Sequence, residues 1–184
     1  MTSFVPKILP AIALALLGGA CALTPMVITH EYLAEDFYRP GAINAAVVDG
    51  GVPTVVVGAP FPDVGPEAAL APLKPPSSVA ADHLSPAPEG AGGTRLVLLF
   101  HPARPASSGE MCGPTPPLAA LAGPAGGEGL SVQAILCRGS TQLSSALGRG
   151  PAPAGTGDPA YADMVQQLLL VVMPLTVPID LPLL

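Results

Sequence analysis

Arg95-Leu96-Val97-Leu98-Leu99-Phe100-His101 (RLVLLFH) is an unbroken apolar run flanked by an arginine and a histidine. A strand with one wet face alternates apolar and polar residues; a strand covered on both faces has no such need. The run is therefore predicted as a strand buried on both sides.

Downstream, residues 102–128 read as a long Pro/Gly loop that carries Cys112. Leu130–Cys137 (LSVQAILC) then alternates, with Leu130, Val132, Ala134 and Leu136 on one face of a second strand. Asp158-Pro159 is a helix start: the carboxylate caps free amides, and proline is tolerated at the first helical position. Tyr161, Met164, Val165, Leu168 and Val172 follow at helical spacing and form a stripe suited to a sheet face. Pro174 ends that helix.

Upstream, residues 59–93 read as a second long loop, with room for one helical turn starting near Pro66-Glu67. Ile43–Val48 (INAAVV) and Val52–Gly58 (VPTVVVG) flank Asp49-Gly50-Gly51, a pattern predicting a β-hairpin. Pro53 places the start of the second run at an edge, or the strand only after it. His30–Gly41 (HEYLAEDFYRPG) suits a short helical turn ending before Pro40. The expected fold class is thus α+β: a small sheet of about four strands, one C-terminal helix and long Pro/Gly-rich loops. Residues 43–174 form the domain, and 175–184 (LTVPIDLPLL) form an apolar, Pro-spaced tail that lies along the body or docks on a partner.

Composition agrees with a β-rich core interrupted by loops. The 184 residues include 25 Pro and 21 Gly, yet 49% are apolar and only 11% charged, the reverse of a charge-rich disordered chain. Net charge is −6, and the basic residues Arg39, Lys74, Arg95, Arg104, Arg138 and Arg149 are scattered. Nucleic acid is therefore not an expected partner, because phosphate neutralisation needs a concentrated basic patch. A polybasic membrane-surface site is excluded on the same ground.

The first 21 residues carry an address. One positive charge at Lys7 precedes the apolar stretch Ile8–Leu17 (ILPAIALALL), and Gly18-Gly19-Ala20 leads into Cys21. At about 1.5 Å per residue, those ten residues are too short to cross a bilayer core of roughly 30 Å, but they suit a signal peptide. Leu17–Cys21 (LGGAC) resembles the lipobox of bacterial lipoproteins, with Gly18 where that family usually has leucine. The resemblance implies a signal peptide over residues 1–20 and cleavage before Cys21. It also implies diacylglycerol on the Cys21 thiol, an acylated amine, and a tether over residues 21–42. Ala22 after the cysteine resembles members sorted to the outer membrane, facing the periplasm. An ordinary signal peptide, cut near Ala20 or Ala22, is the alternative. The body loosely resembles uncharacterised proteobacterial lipoproteins at Val55–Phe61, Arg95–Pro102, Val132–Cys137 and Asp158–Leu168. That resemblance implies location and a single domain, with no activity attached.

Three cysteines in an exported chain require an explanation. With lipid on Cys21, Cys112 and Cys137 remain to form a disulfide in an oxidising compartment, or to stay as two buried thiols. Neither belongs to a Cys-x-x-Cys pair, which argues against redox catalysis and zinc.

Motifs for chemistry are incomplete throughout. His30-Glu31 lacks the second histidine four residues on that a zincin helix requires, since residue 34 is Ala; Glu35-Asp36 adds only nearby carboxylates. His101 ends the apolar strand beside Pro102, where catalytic histidines can occur, but a satisfied strand-end histidine is the plainer reading. His83 lies among Pro, Ser and Ala. Ser108, Ser140, Ser144 and Ser145 lack a nucleophile elbow, and Gly123–Gly129 lacks the Lys-Ser/Thr end of a phosphate loop. Without tryptophan, sugar stacking has no platform. The expectation is a non-enzymatic lipoprotein without metal or cofactor, with a structural or protein-interaction role; the alternative is a periplasmic module for small apolar ligands or lipids.

Overall fold

The computed structural model describes residues 25–113, 118–126 and 129–176. Cys21 and most of the apolar tail lie outside them. One open sheet carries six strands: β1 (Val27–Leu33), β2 (Gly51–Val57), β3 (His83–Pro86), β4 (Thr94–Phe100), β5 (Leu130–Arg138) and β6 (Thr141–Gly150). Their order across the sheet is β1-β6-β5-β4-β2-β3. β2 runs parallel to both β3 and β4, whereas β4, β5, β6 and β1 pair antiparallel in succession. Among the described residues, three α-helices, α1 (Pro66–Leu70), α2 (Ser108–Cys112) and α3 (Pro159–Val172), and two 3-10 turns, Ala42–Ala46 and Leu118–Leu121, complete the order. The class is α+β as expected, but with six strands in place of about four.

β4 occupies the middle, paired with β2 and β5, and Arg95–Phe100 are all buried. Strand geometry sends successive side chains to opposite faces. Leu96, Leu98 and Phe100 therefore join Val132, Ala134 and Leu136 of β5 beneath Tyr161, Met164, Val165, Leu168 and Val172 of α3. α1 lies on this first face too, through Ala69 and Leu70, and the Tyr161 hydroxyl donates to the Ala69 carbonyl at 2.9 Å. Val97 and Leu99 point the other way, where Val55, Val57 and Ile135 meet Ala106, Met111 and Cys112. The second face is thus closed by α2 and its lead-in loop.

The C-terminal helix starts where its sequence directs. Asp158 accepts from the Ala160 amide at 3.0 Å while its other oxygen accepts from Ala154, and the stripe from Tyr161 to Val172 is buried.

The predicted hairpin is corrected. Asp49 and Gly50 do form a two-residue turn with positive φ (50° and 76°), closed by reciprocal bonds between Val48 and Gly51. Only that single bridge exists, because Ala42–Ala46 coil into a 3-10 turn. β2 already has β3 and β4 on its two sides, which leaves no edge for an antiparallel partner. Pro53 lies within β2, but the β4 ladder begins at Thr54, so the missing amide falls where β3 alone is paired. Three strands went unforeseen. β1 occupies much of the stretch expected as tether, ahead of the expected turn, which forms where the Phe37 and Tyr38 amides donate to the Ala34 carbonyl; β3 lies inside the expected loop 59–93, and β6 follows β5 through a tight turn at Gly139 (φ 57°).

Candidate interaction surface

The second face is stitched by side chains rather than by a long helix. Cys112, the last residue of α2, is bonded to Cys137 of β5, with α-carbons 5.5 Å apart. Gln133 of β5 grips the loop before α2 at both polar positions of Ala106: its Oε1 accepts from the Ala106 amide at 2.8 Å, and its Nε2 donates to the Ala106 carbonyl at 2.9 Å. Ser107 and Glu110 make a capping box at the start of α2, and Glu110 also receives Arg104. The Arg104 guanidinium, then the Ser107 amide and hydroxyl, hold the Glu110 carboxyl down at about 2. Short as it is, α2 is fixed in place by a covalent bond, a carboxamide clasp and a cap.

The residues with catalytic chemistry do not come together. His101 has positive φ (47°), and its Nε2 lies 3.0 Å from the Pro60 carbonyl, so that nitrogen carries the proton and donates. His30 is exposed beside Thr29 in the bulge of β1, and His83, the first residue of β3, is exposed and pairs with Asp82. Ser144 donates to the Val172 carbonyl at the end of α3, and Ser145 accepts from Gln142. Each of these hydroxyls is committed to the scaffold, and no histidine stands beside one as a base. Among the described residues, no three His, Cys, Asp or Glu side chains are grouped for a metal ion. No helix among them is long and apolar enough to cross a membrane.

What the fold does assemble is a surface at one end, where β1 finishes and α3 stops. Tyr32, Phe37 and Leu175 are large apolar side chains left 51%, 61% and 67% exposed. Tyr32 and Leu33 of β1 share an open groove of about 400 Å3 with Val171, Pro174 and Thr176. The backing is firm: the buried Tyr38 donates its hydroxyl to the Pro174 carbonyl at 2.7 Å, and Arg138 donates to the Phe37 carbonyl at 2.6 Å. Burial pushes the Tyr38 phenol up to about 12, because the charged form has no water to stabilise it. Glu31, which lines the groove, and Glu35 and Asp36 in the next turn are exposed, and none has an ion-pair partner among the described residues. An exposed aromatic surface bordered by uncompensated carboxylates suits a partner that brings aliphatic and basic side chains.

Sequence reasoning had assigned this stretch to a tether with a short helical turn. Tyr32 and Phe37 were visible within an acidic run, but the β1–β6 pairing that brings them to the end of α3 was not.

Neither a protein-family model nor a curated protein matches the chain. Among solved structures, a PelC dodecamer variant from Paraburkholderia phytofirmans is similar at 15% identity, over 82% of this chain and 98% of that one, with a TM-score of 0.36.

Proposed function

We propose that the chain is a lipoprotein held on a membrane by lipid on Cys21, facing the periplasm from the outer membrane. Its role is to hold a protein partner rather than to catalyse a reaction. The observation that carries the interaction role is the exposed Tyr32–Phe37–Leu175 surface, whose carboxylates have no ion-pair partner among the described residues. Soluble proteins leave large contiguous apolar patches mainly where something binds. The Cys112–Cys137 bond supports an oxidising compartment, where such bonds persist. Cys21 precedes β1 by only six residues, so an anchor there adjoins the Val27 end of the strand. Tyr32 lies at the other end of β1 and Phe37 just beyond it, so both are presented away from the lipid.

A module for small apolar ligands would need a lined cavity between its layers. Here the space between sheet and α3 is filled by Leu96, Leu98, Phe100, Tyr161 and Leu168, all fully buried. The partner is therefore read as a protein surface carrying Lys or Arg around an aliphatic side chain. A photoreactive phenylalanine analogue placed at position 32, in cells, is expected to give a discrete protein adduct. The adduct should weaken when Glu31, Glu35 and Asp36 are changed together to Lys. An equal adduct from the exposed position 48, or lipid adducts alone at position 32, would sink the reading.

A further inference from the structure

Arg95 is the one buried charged side chain among the described residues, 4% exposed. Every partner it has is neutral: Nη1 donates to the carbonyls of Gly139 at 3.0 Å and Gly93 at 3.5 Å, and Nη2 to that of Cys112 at 3.1 Å. No carboxylate among the described residues pairs with it; the arginine that does have one, Arg104, is on the surface with Glu110. A guanidinium removed from water loses hydration that three carbonyl dipoles only partly replace. Burial accordingly lowers the pKa of Arg95. A cation in this position is stabilised further by any negative group that can reach it.

A route exists. Arg95 is part of the wall of a recess of about 360 Å3, shared with Gly92, Cys112, Gly113, Gly139 and Ser140. Main chain dominates this wall, and β-carbons added at Gly92 or Gly139 would meet nothing within 4 Å. The recess is open and without large apolar side chains. Lined, apart from Arg95, by main chain and short side chains, it admits a compact group rather than a lipid tail or an aromatic ring. Ser140 also lines the recess, and an oxyanion here would meet a guanidinium whose partners are all carbonyls.

We propose that this recess binds a small oxyanion, the carboxylate or phosphate group of a ligand, against the guanidinium of Arg95. The site is separate from the Tyr32–Phe37 surface and does not depend on the lipid anchor. Its floor includes the main chain of Cys112, so the disulfide holds part of the wall in register with β4 and β5.

The test is thermal unfolding of the disulfide-intact protein in acetate, inorganic phosphate or chloride at matched ionic strength. A ligand that binds only the folded state raises the midpoint in a saturable way. Acetate or phosphate is expected to do so while chloride does not, and the stronger of the two identifies the group. Arg95→Gln should weaken the effect at least about tenfold, the scale of one charge-assisted bond. Since that variant also loses clasped carbonyls, Ser140→Asp provides an independent arm. A carboxylate built into the wall should raise the midpoint in chloride and abolish the response to added anion. Equal responses to all three salts in the natural protein, or an undiminished response in Ser140→Asp, would overturn the proposal and leave Arg95 a purely structural clasp.

Discussion

Deleting the Gln133 carboxamide leaves the amide and carbonyl of Ala106 without their partners in a buried strip of the second face. A buried group stripped of its hydrogen bond costs about 1–3 kcal/mol, so Gln133→Ala should cost roughly 2–4 kcal/mol. Urea unfolding monitored by circular dichroism checks this; a loss below about 0.5 kcal/mol would mean that the clasp is solvated and replaceable. Tyr38 makes a prediction of opposite character. Its phenol titrates near 12 in the folded chain against 10.0 in its unperturbed state. A folded pKa above the unfolded one gives stability that is complete below pH 10 and declines as pH rises through about 12. Burial moves Tyr161 in the same direction, so both phenols draw stability down on the alkaline side. Tyr38→Phe should be less stable at neutral pH by about 1 kcal/mol, through loss of the bond to Pro174. Its alkaline decline should also be shallower; parallel curves for the two proteins would contradict this account of Tyr38.

At the scale of elements, α2 has five residues and cannot hold itself together as an isolated helix. Its position depends on the bond between Cys112 and Cys137, which are separated by 25 positions. Closing a loop of that length contributes about 3 kcal/mol by restricting the unfolded chain. The Cys112→Ser, Cys137→Ser double variant should lose about that much while α3 persists. Helical circular dichroism together with the urea midpoint separates the two outcomes, and an unchanged midpoint would show the bond to be incidental. α3 was legible because its cap, proline and apolar stripe lie consecutively in the chain. β4 and β5 were legible because a buried strand needs only its own apolar run. The other strands were obscured for identifiable reasons. β6 (TQLSSALGRG) sets Ser144 and Ser145 in the sheet, where bonds to Val172 and Gln142 offset their burial, and those partners cannot be read locally. β3 has four residues and ends in proline, and β1 is a mostly exposed edge strand broken by a bulge. Asp49-Gly50 signalled a turn correctly, but partner choice for β2 was settled by distant strands. The apolar end surface was hidden for the same reason, since Tyr32 and Pro174 meet only through the β1–β6 pairing and the packing of α3.

At the scale of the molecule, charge and placement favour one arrangement. A net charge of −6, with Glu31, Glu35 and Asp36 beside Tyr32 and Phe37 and without an ion-pair partner among the described residues, repels an anionic membrane and attracts a basic protein surface. Capture of the proposed partner should therefore weaken with added salt, as exposed charges are screened over about 8–10 Å under ordinary ionic conditions. The fold has an open edge at β1, but the bulge there, with positive φ at His30 (53°), opposes flat edge-to-edge pairing and favours contact through side chains. All of this gains its biological sense from the proposed anchor at Cys21, six residues before β1. The intact mass of protein extracted by detergent from the membrane fraction tests it most directly. The account predicts a chain beginning at Cys21, with a mass raised by diacylglycerol on the thiol and an acyl group on the amine. A chain beginning at Ala22, or an unmodified Cys21, would contradict it.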